Sequence, residues 1–182
     1  MENLEFKKFD PLADDASEIS NTPGNYIIVI RDGVDLPGIG KSVEYQLYDG
    51  LRVVYTGVAT DKGSLYERIK KKHLGNNAGQ STLRKSIGSL FEYTPVWRDK
   101  DPKAIERHKR TKFNPADEKK LTDWMKNNLI FYYCENKNHK LDEPKLIEKL
   151  NPPINIEGNT DSVNKDFREK LTKLRNRKPN II

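Results

Sequence analysis

RVVYTG, residues 52–57, runs from an arginine through two β-branched residues into Tyr55, Thr56 and Gly57. Valine suits a pleated, half-buried surface, so the stretch reads as a strand, and it closes on a polar aromatic and a glycine, which strand packing alone does not require. A second run, GNYIIVIR at residues 24–31, is bounded by Pro23 before it and by Asp32-Gly33 after it, and reads as a buried strand. Between them SVEYQLYDG, residues 42–50, alternates Val43, Tyr45 and Leu47 with polar residues, as a hairpin arm would. Three strands in succession with short turns predict antiparallel pairing. That pairing brings Tyr26, early in the first strand, and Tyr55, late in the second, to one end of the sheet.

Helices follow. In GSLYERIKKKHLG, residues 63–75, Ser64 and Glu67 have capping-box spacing, Leu65 and Ile69 lie four apart, and Gly75 is placed to stop the helix. STLRKSIGSLF, residues 81–91, starts on Ser81 and carries an apolar stripe of Leu83, Ile87, Leu90 and Phe91. Residues 94–111 are dense in charge and read as a solvated loop. Asn114-Pro115 opens a helix carried by Leu121, Trp124 and Met125, and LIFYYCE, residues 129–135, is a further apolar strand. Asp142 is placed to cap a helix with Leu146, Ile147 and Leu150 inward, which NPPIN at 151–155 stops. Residues 161–178 put Val163, Phe167, Leu171 and Leu174 on one face of a basic amphipathic helix. The fold expected is α/β (α+β): a small, mainly antiparallel three-stranded central sheet flanked by helices. Around it, residues 1–22 read as a flexible lead-in, 23–157 as the domain and 158–182 as a basic C-terminal helical extension.

Composition narrows the class. With 182 residues, 35% hydrophobic and 33% charged, the chain can bury one core, and no apolar run approaches the roughly 20 residues of a membrane helix. MENLEFKKFD lacks the basic-then-apolar order of a signal peptide, so a cytoplasmic location is expected. Cys134 is the only cysteine, and the three histidines are scattered, which leaves no zinc-ligand spacing. Any metal would be a hard cation on carboxylate oxygen. A net charge of +6 favours an anionic partner, nucleic acid above all. PGIGKS, residues 37–42, has Asp35 where a phosphate-binding loop needs its first glycine, so no nucleotide cofactor is expected.

The order of elements, with Gly24-Asn25-Tyr26, Tyr55-Thr56-Gly57, LYERIKKKH and EPKLIEKLNPPIN, resembles the GIY-YIG nuclease family over residues 23–156. STLRKSIGSLF and LTDWMKNN look most like a bacterial branch of free-standing nuclease-like proteins. The resemblance implies a metal-dependent endonuclease hydrolysing DNA phosphodiesters, with Tyr26 as general base or its assistant and Tyr55 orienting it or bonding the phosphate. Arg68 would contact the phosphate, Glu143 would ligate Mg²⁺ or Mn²⁺, and Asn155 would hold the site together. His73 follows Arg68 by five residues where many members have four. On an α-helix five residues turn about 500°, pointing His73 about 140° away from Arg68, so its membership of the catalytic set is the weakest. Lys70, Lys71, Lys72, Arg84 and Lys85 beside the site, with Lys165, Arg168, Lys173, Arg175 and Arg177 on the terminal helix, would contact duplex DNA. His108 and His139 are given no role. Read singly, the tyrosines are ordinary strand aromatics and Arg68 is one charge on a basic helix. A non-catalytic nucleic-acid-binding module and an RNA-cleaving nuclease are the alternatives, and sequence specificity and oligomeric state stay open.

Overall fold

A computed structural model describes residues 4–179. Its strands are β1 (Lys7–Phe9), β2 (Gly24–Ile30), β3 (Leu47–Tyr48), β4 (Leu51–Ala59), β5 (Pro95–Trp97), β6 (Thr111–Phe113) and β7 (Leu129–Glu135). Its α-helices are α1 (Thr82–Leu90), α2 (Pro102–His108), α3 (Pro115–Asn128), α4 (His139–Leu150) and α5 (Lys165–Arg175). Every residue of β2 is buried, as its unbroken apolar run requires, and β2 lies at the centre of the main sheet.

That sheet has five strands, not the three expected, in the order β1-β7-β2-β4-β3, with every pairing antiparallel. β7 supplies the second neighbour of β2. β1 adds an edge strand whose two lysines face solvent and whose Phe9 alone is buried, so it carries almost no apolar signal. β3 is only two residues long. It joins β4 through Asp49 and Gly50, both at positive φ, which is the tight hairpin turn that an Asp-Gly pair favours.

The two sheet faces bury different partners. Tyr26, Ile28, Ile30 and Tyr55 belong to the larger core with Leu65, Ile69, Leu83 and Ile87, whereas Ile27, Val29 and Val53 pack with Leu146 and Leu150 of α4. A register step, from Ile28 opposite Tyr55 to Val29 opposite Val53, leaves Val54 as an extra residue. The bulge lets Val54 and Tyr55 both serve the larger core.

Residues 94–111 are more than a loop. β5 and β6 form a two-stranded antiparallel hairpin with α2 between them, started by the Asp101 carboxylate accepting the Ala104 N–H. α2 buries none of its residues, so no apolar period announced it. The chain ends also pack inward: Phe9 and Ile19 are buried from the N-terminal side, and Phe167 and Leu171 of α5 join the core beside α1. Among the described residues no helix is long and apolar enough to cross a membrane.

Candidate active site

The glycine that closes RVVYTG is set by Tyr26. Gly57 lies opposite Tyr26 in the β2–β4 register, and a Cβ there would meet the Tyr26 hydroxyl oxygen at 2.3 Å. Gly24 answers a similar need, since its Cβ would lie 2.0 Å from the Cys134 carbonyl oxygen of β7. Both glycines therefore allow close approach within the sheet, and the Tyr26 ring lies over the backbone of Gly57. Tyr55 is the diagonal neighbour on the same face, with ring centroids 6.3 Å apart and planes 27° from parallel.

The stretch after β4 does not form the α-helix that its capping box suggests. Ser64 does accept the Glu67 N–H, but Glu67–His73 is π-helical, and the Leu74 N–H bonds the Ile69 carbonyl five residues back at 2.9 Å. With i→i+5 bonding, residues five apart stand one above the other. This corrects the expectation that His73 points about 140° from Arg68, which holds only for α-helical spacing. Arg68 Nε donates to the Tyr26 hydroxyl oxygen at 3.2 Å, and His73 Nε2 bonds the same oxygen at 2.9 Å.

Ser81 adds a contact that sequence reading missed, having assigned it only as a helix cap. Its Oγ accepts the Arg84 N–H at the start of α1 and lies 2.7 Å from His73 Nδ1. With the Ser81 hydroxyl donating to Nδ1, Nε2–H donates to the Tyr26 oxygen, the tautomer that suits a phenolate; with Nδ1–H donating to Ser81, the Tyr26 hydroxyl donates to Nε2 instead. Burial, with Arg68, Arg84 and Lys72 nearby, holds the His73 imidazole well below the usual histidine range, so it stays neutral. Burial also raises both phenols above the usual tyrosine value, and Arg68 opposes that rise in each.

Asn155 is buried and bonds only backbone. Its Oδ1 accepts the Thr56 N–H at 2.9 Å and its Nδ2 donates to the Thr56 carbonyl at 3.0 Å, which fixes the residue between Tyr55 and Gly57. Glu143 lies in the second turn of α4, which begins at His139 and not at Asp142. It is half-buried. Burial raises its carboxyl, against the pull of Arg68 and His139, and its charge is felt by both Tyr26 and Tyr55. Among the described residues it makes no ion pair, and no cluster of three or more His, Cys, Asp or Glu side chains surrounds it. A single half-buried carboxylate with oxygen donors only fits a hard cation that keeps most of its shell as water and phosphate.

The expected nucleic-acid contacts divide. Lys70, Lys71 and Lys173 are exposed, while Lys72, Lys85 and Arg175 are half-buried. Arg84 is not available to a phosphate, because it is fully buried and pairs with Glu118 at 2.6 Å. Its guanidinium also donates to the His73 carbonyl and Thr122 Oγ1, so it braces the π-helical segment from behind. Arg168 is likewise buried, bonding the Val163 and Asp161 carbonyls. Glu118, the other unforeseen member, accepts the Ala78 and Phe113 N–H groups as well as Arg84. Its only sequence signal was an acid in the first turn of α3.

Two phenols, a guanidinium, a neutral imidazole and a half-buried carboxylate thus share one end of the sheet. No curated protein and no solved structure matches the chain. The family model for the GIY-YIG catalytic domain matches residues 24–177, a span that holds every side chain of this site, and the chain belongs to the GIY-YIG nuclease family.

Proposed function

We propose that the protein is a cytoplasmic, divalent-metal-dependent endonuclease that hydrolyses DNA phosphodiester bonds. The observation that carries this reading is the convergence of Arg68 and His73 on the Tyr26 hydroxyl, with Tyr55 stacked beside it. A phenol oxygen receiving two N–H bonds, one from a cation, is biased towards the phenolate that a general base requires. Burial works against that ionisation, so the two donors offset a real desolvation cost. Tyr26 is fully buried, and Arg68 is the half-buried group covering its hydroxyl. Arg68 uses Nε on Tyr26, lies beside Tyr55, and makes a long 3.5 Å contact from Nη1 to the Gln80 carbonyl, which leaves the Nη groups of its planar fork able to meet phosphate oxygens. With Nε still on it, the Tyr26 oxygen gives its own proton to solvent and, as phenolate, takes the proton of the attacking water, while Tyr55 orients the water or the phosphate. His73, held by Ser81, keeps its Nε2–H on Tyr26 throughout. Mg²⁺ or Mn²⁺ on Glu143 would supply positive charge for the phosphate oxygens. Asn155 keeps Tyr55 and Gly57 in register through Thr56.

The test is incubation of the protein with supercoiled plasmid and Mg²⁺ or Mn²⁺, with an RNA of similar length in parallel. Nicked and linear DNA products are expected. Arg68→Ala should slow single-turnover cleavage by roughly a hundredfold, about 2.7 kcal/mol, while affinity for the same duplex changes far less. DNA binding without cleavage would make the protein a non-catalytic module, and preferential RNA cleavage would reassign the substrate. Small parallel losses in binding and cleavage would make Arg68 a surface charge.

A further inference from the structure

A narrow groove runs between α1, the last turn of α5 and the β5–β6 hairpin. Lys85, Lys112, Arg175 and Arg177 line it, together with Tyr93, and no carboxylate does. Among the described residues none of these four cations forms an ion pair. Three of them, Lys85, Lys112 and Arg175, are half-buried. Burial and the neighbouring Lys178 and Arg175 pull the Lys85 ammonium below the usual lysine range, and burial does the same to Arg175. Partly desolvated like charges are destabilising unless an anion joins them; Glu157 offsets this at Arg175, and no acid does so at Lys85. The α5 C-terminus accounts for some of this, since cations in a last turn gain roughly 0.3–1 kcal/mol from the helix dipole. It does not account for Lys85 in the middle of α1 or Lys112 on β6.

The groove adjoins the active site. Ala78 lines it, and two residues on, the Gln80 carbonyl faces Arg68. Arg175 and Tyr55 are near enough to shift one another's ionisation. We propose that the phosphodiester backbone flanking the scissile bond lies across the mouth of this groove, with Arg175 beside Tyr55 and with Lys112 and Arg177 on more distant phosphates. The assignment of one phosphate as scissile rests on the nuclease reading, whereas the groove as a phosphate site rests on its own charges. On this view the β5–β6 hairpin and α5 set the direction in which a strand leaves the active site.

The experiment measures binding of a fluorescein-labelled 20-base-pair duplex by anisotropy over a range of KCl concentrations, without divalent metal. Removing two phosphate contacts with Lys112→Ala/Arg177→Ala should lessen the log–log salt slope by about 1.8, so that the affinity gained between about 1 M and 0.1 M salt falls by roughly 60-fold. Arg175→Ala alone should lessen the slope by about 0.9. Thermal melting of each variant by circular dichroism should stay close to wild type, which separates lost contact from lost fold. Lys8→Ala/Lys149→Ala, on the sheet edge and on α4, should keep the wild-type slope. A groove variant that keeps the wild-type slope and affinity overturns the proposal, even if the wild type cleaves DNA. A groove-dependent slope in a wild type that cleaves nothing would uphold the groove and remove the nuclease reading instead.

Discussion

Gly57→Ala is the smallest change that tests whether the Tyr26 hydroxyl is held where the chemistry needs it. The new methyl carbon would lie 2.3 Å from that oxygen and 2.6 Å from Cζ, about 1 Å inside ordinary van der Waals contact. The ring has little room to yield, because Tyr26 is fully buried against Tyr55 and His73. Something must move, and the bonds at stake are those to Arg68 at 3.2 Å and His73 at 2.9 Å. Overpacking of this kind costs roughly 1–3 kcal/mol. For a chain of this size that lowers the melting temperature by about 2–12 °C. A catalytic group displaced by about 1 Å loses on the order of a hundredfold in rate. Circular dichroism melting and single-turnover plasmid cleavage, run well below the lowered melting point, read the two effects separately. Gly63→Ala is the control, since its nearest neighbour is the flexible end of Glu67 at 3.2 Å, and it should change stability by no more than about 0.5 kcal/mol. Adding Tyr26→Phe to Gly57→Ala removes the closest contact and should recover part of the lost melting temperature without restoring cleavage. A Gly57→Ala protein that cleaves at the wild-type rate would refute the reasoning, because the hydroxyl would then not need its present position.

Deleting Lys71 should convert the π-helical segment to α-helix and leave the histidine four residues after Arg68, still on its face; melting temperature should hold or rise and cleavage stay within about tenfold. A folded but inactive deletion variant would show that the π turn itself is required. Glu143→Gln should abolish divalent-ion-dependent cleavage while leaving duplex binding largely intact, and cleavage near the wild-type rate would reduce Glu143 to a helix-surface acid. His73 has a folded pKa well below its unfolded value of about 6.5, so the folded state resists protonation that the unfolded state accepts. Stability should therefore be full above about pH 6.5 and fall by up to about 1.4 kcal/mol per unit as pH drops below it. His73→Gln should shed that part of the acid sensitivity in urea titrations at pH 7.5 and 5, and an unchanged pH dependence would count against a buried neutral imidazole.

What could be read from the chain depended on whether a residue's environment was local. β2, β4, β7 and the helices α1, α3, α4 and α5 announce themselves because their apolar periods are strong over seven or more residues. β1 does not, since a three-residue strand with one buried side chain gets its order from hydrogen bonds to β7, more than a hundred residues away. α2 is invisible for the related reason that it buries nothing. Arg84 shows the same limit at one side chain. Its charge suggested a phosphate contact, yet it sits one turn before Ile87 and Gly88 on the face of α1 that packs inward, and its carboxylate partner Glu118 is 34 residues further on. The inward face was legible and points against a solvent role; the partner was not.

The Arg68–His73 spacing carries the argument furthest. Five residues on an α-helix place two side chains on different faces, and by that rule the histidine leaves the site. KKKH has no breaker residue and no period that distinguishes i→i+4 from i→i+5 bonding, so local propensity cannot choose between the two ladders. The choice is made from outside the helix. Tyr26 and Ser81 engage both ring nitrogens of His73, and Arg84 takes its carbonyl, three contacts that an α-helical turn would lose together. A buried imidazole stripped of its partners costs on the order of a few kcal/mol, more than the penalty of one irregular turn. The extra residue is thus absorbed by the backbone so that the side chains can meet, and the same contacts that hold the π turn are those that bring His73 to the Tyr26 oxygen beside Arg68.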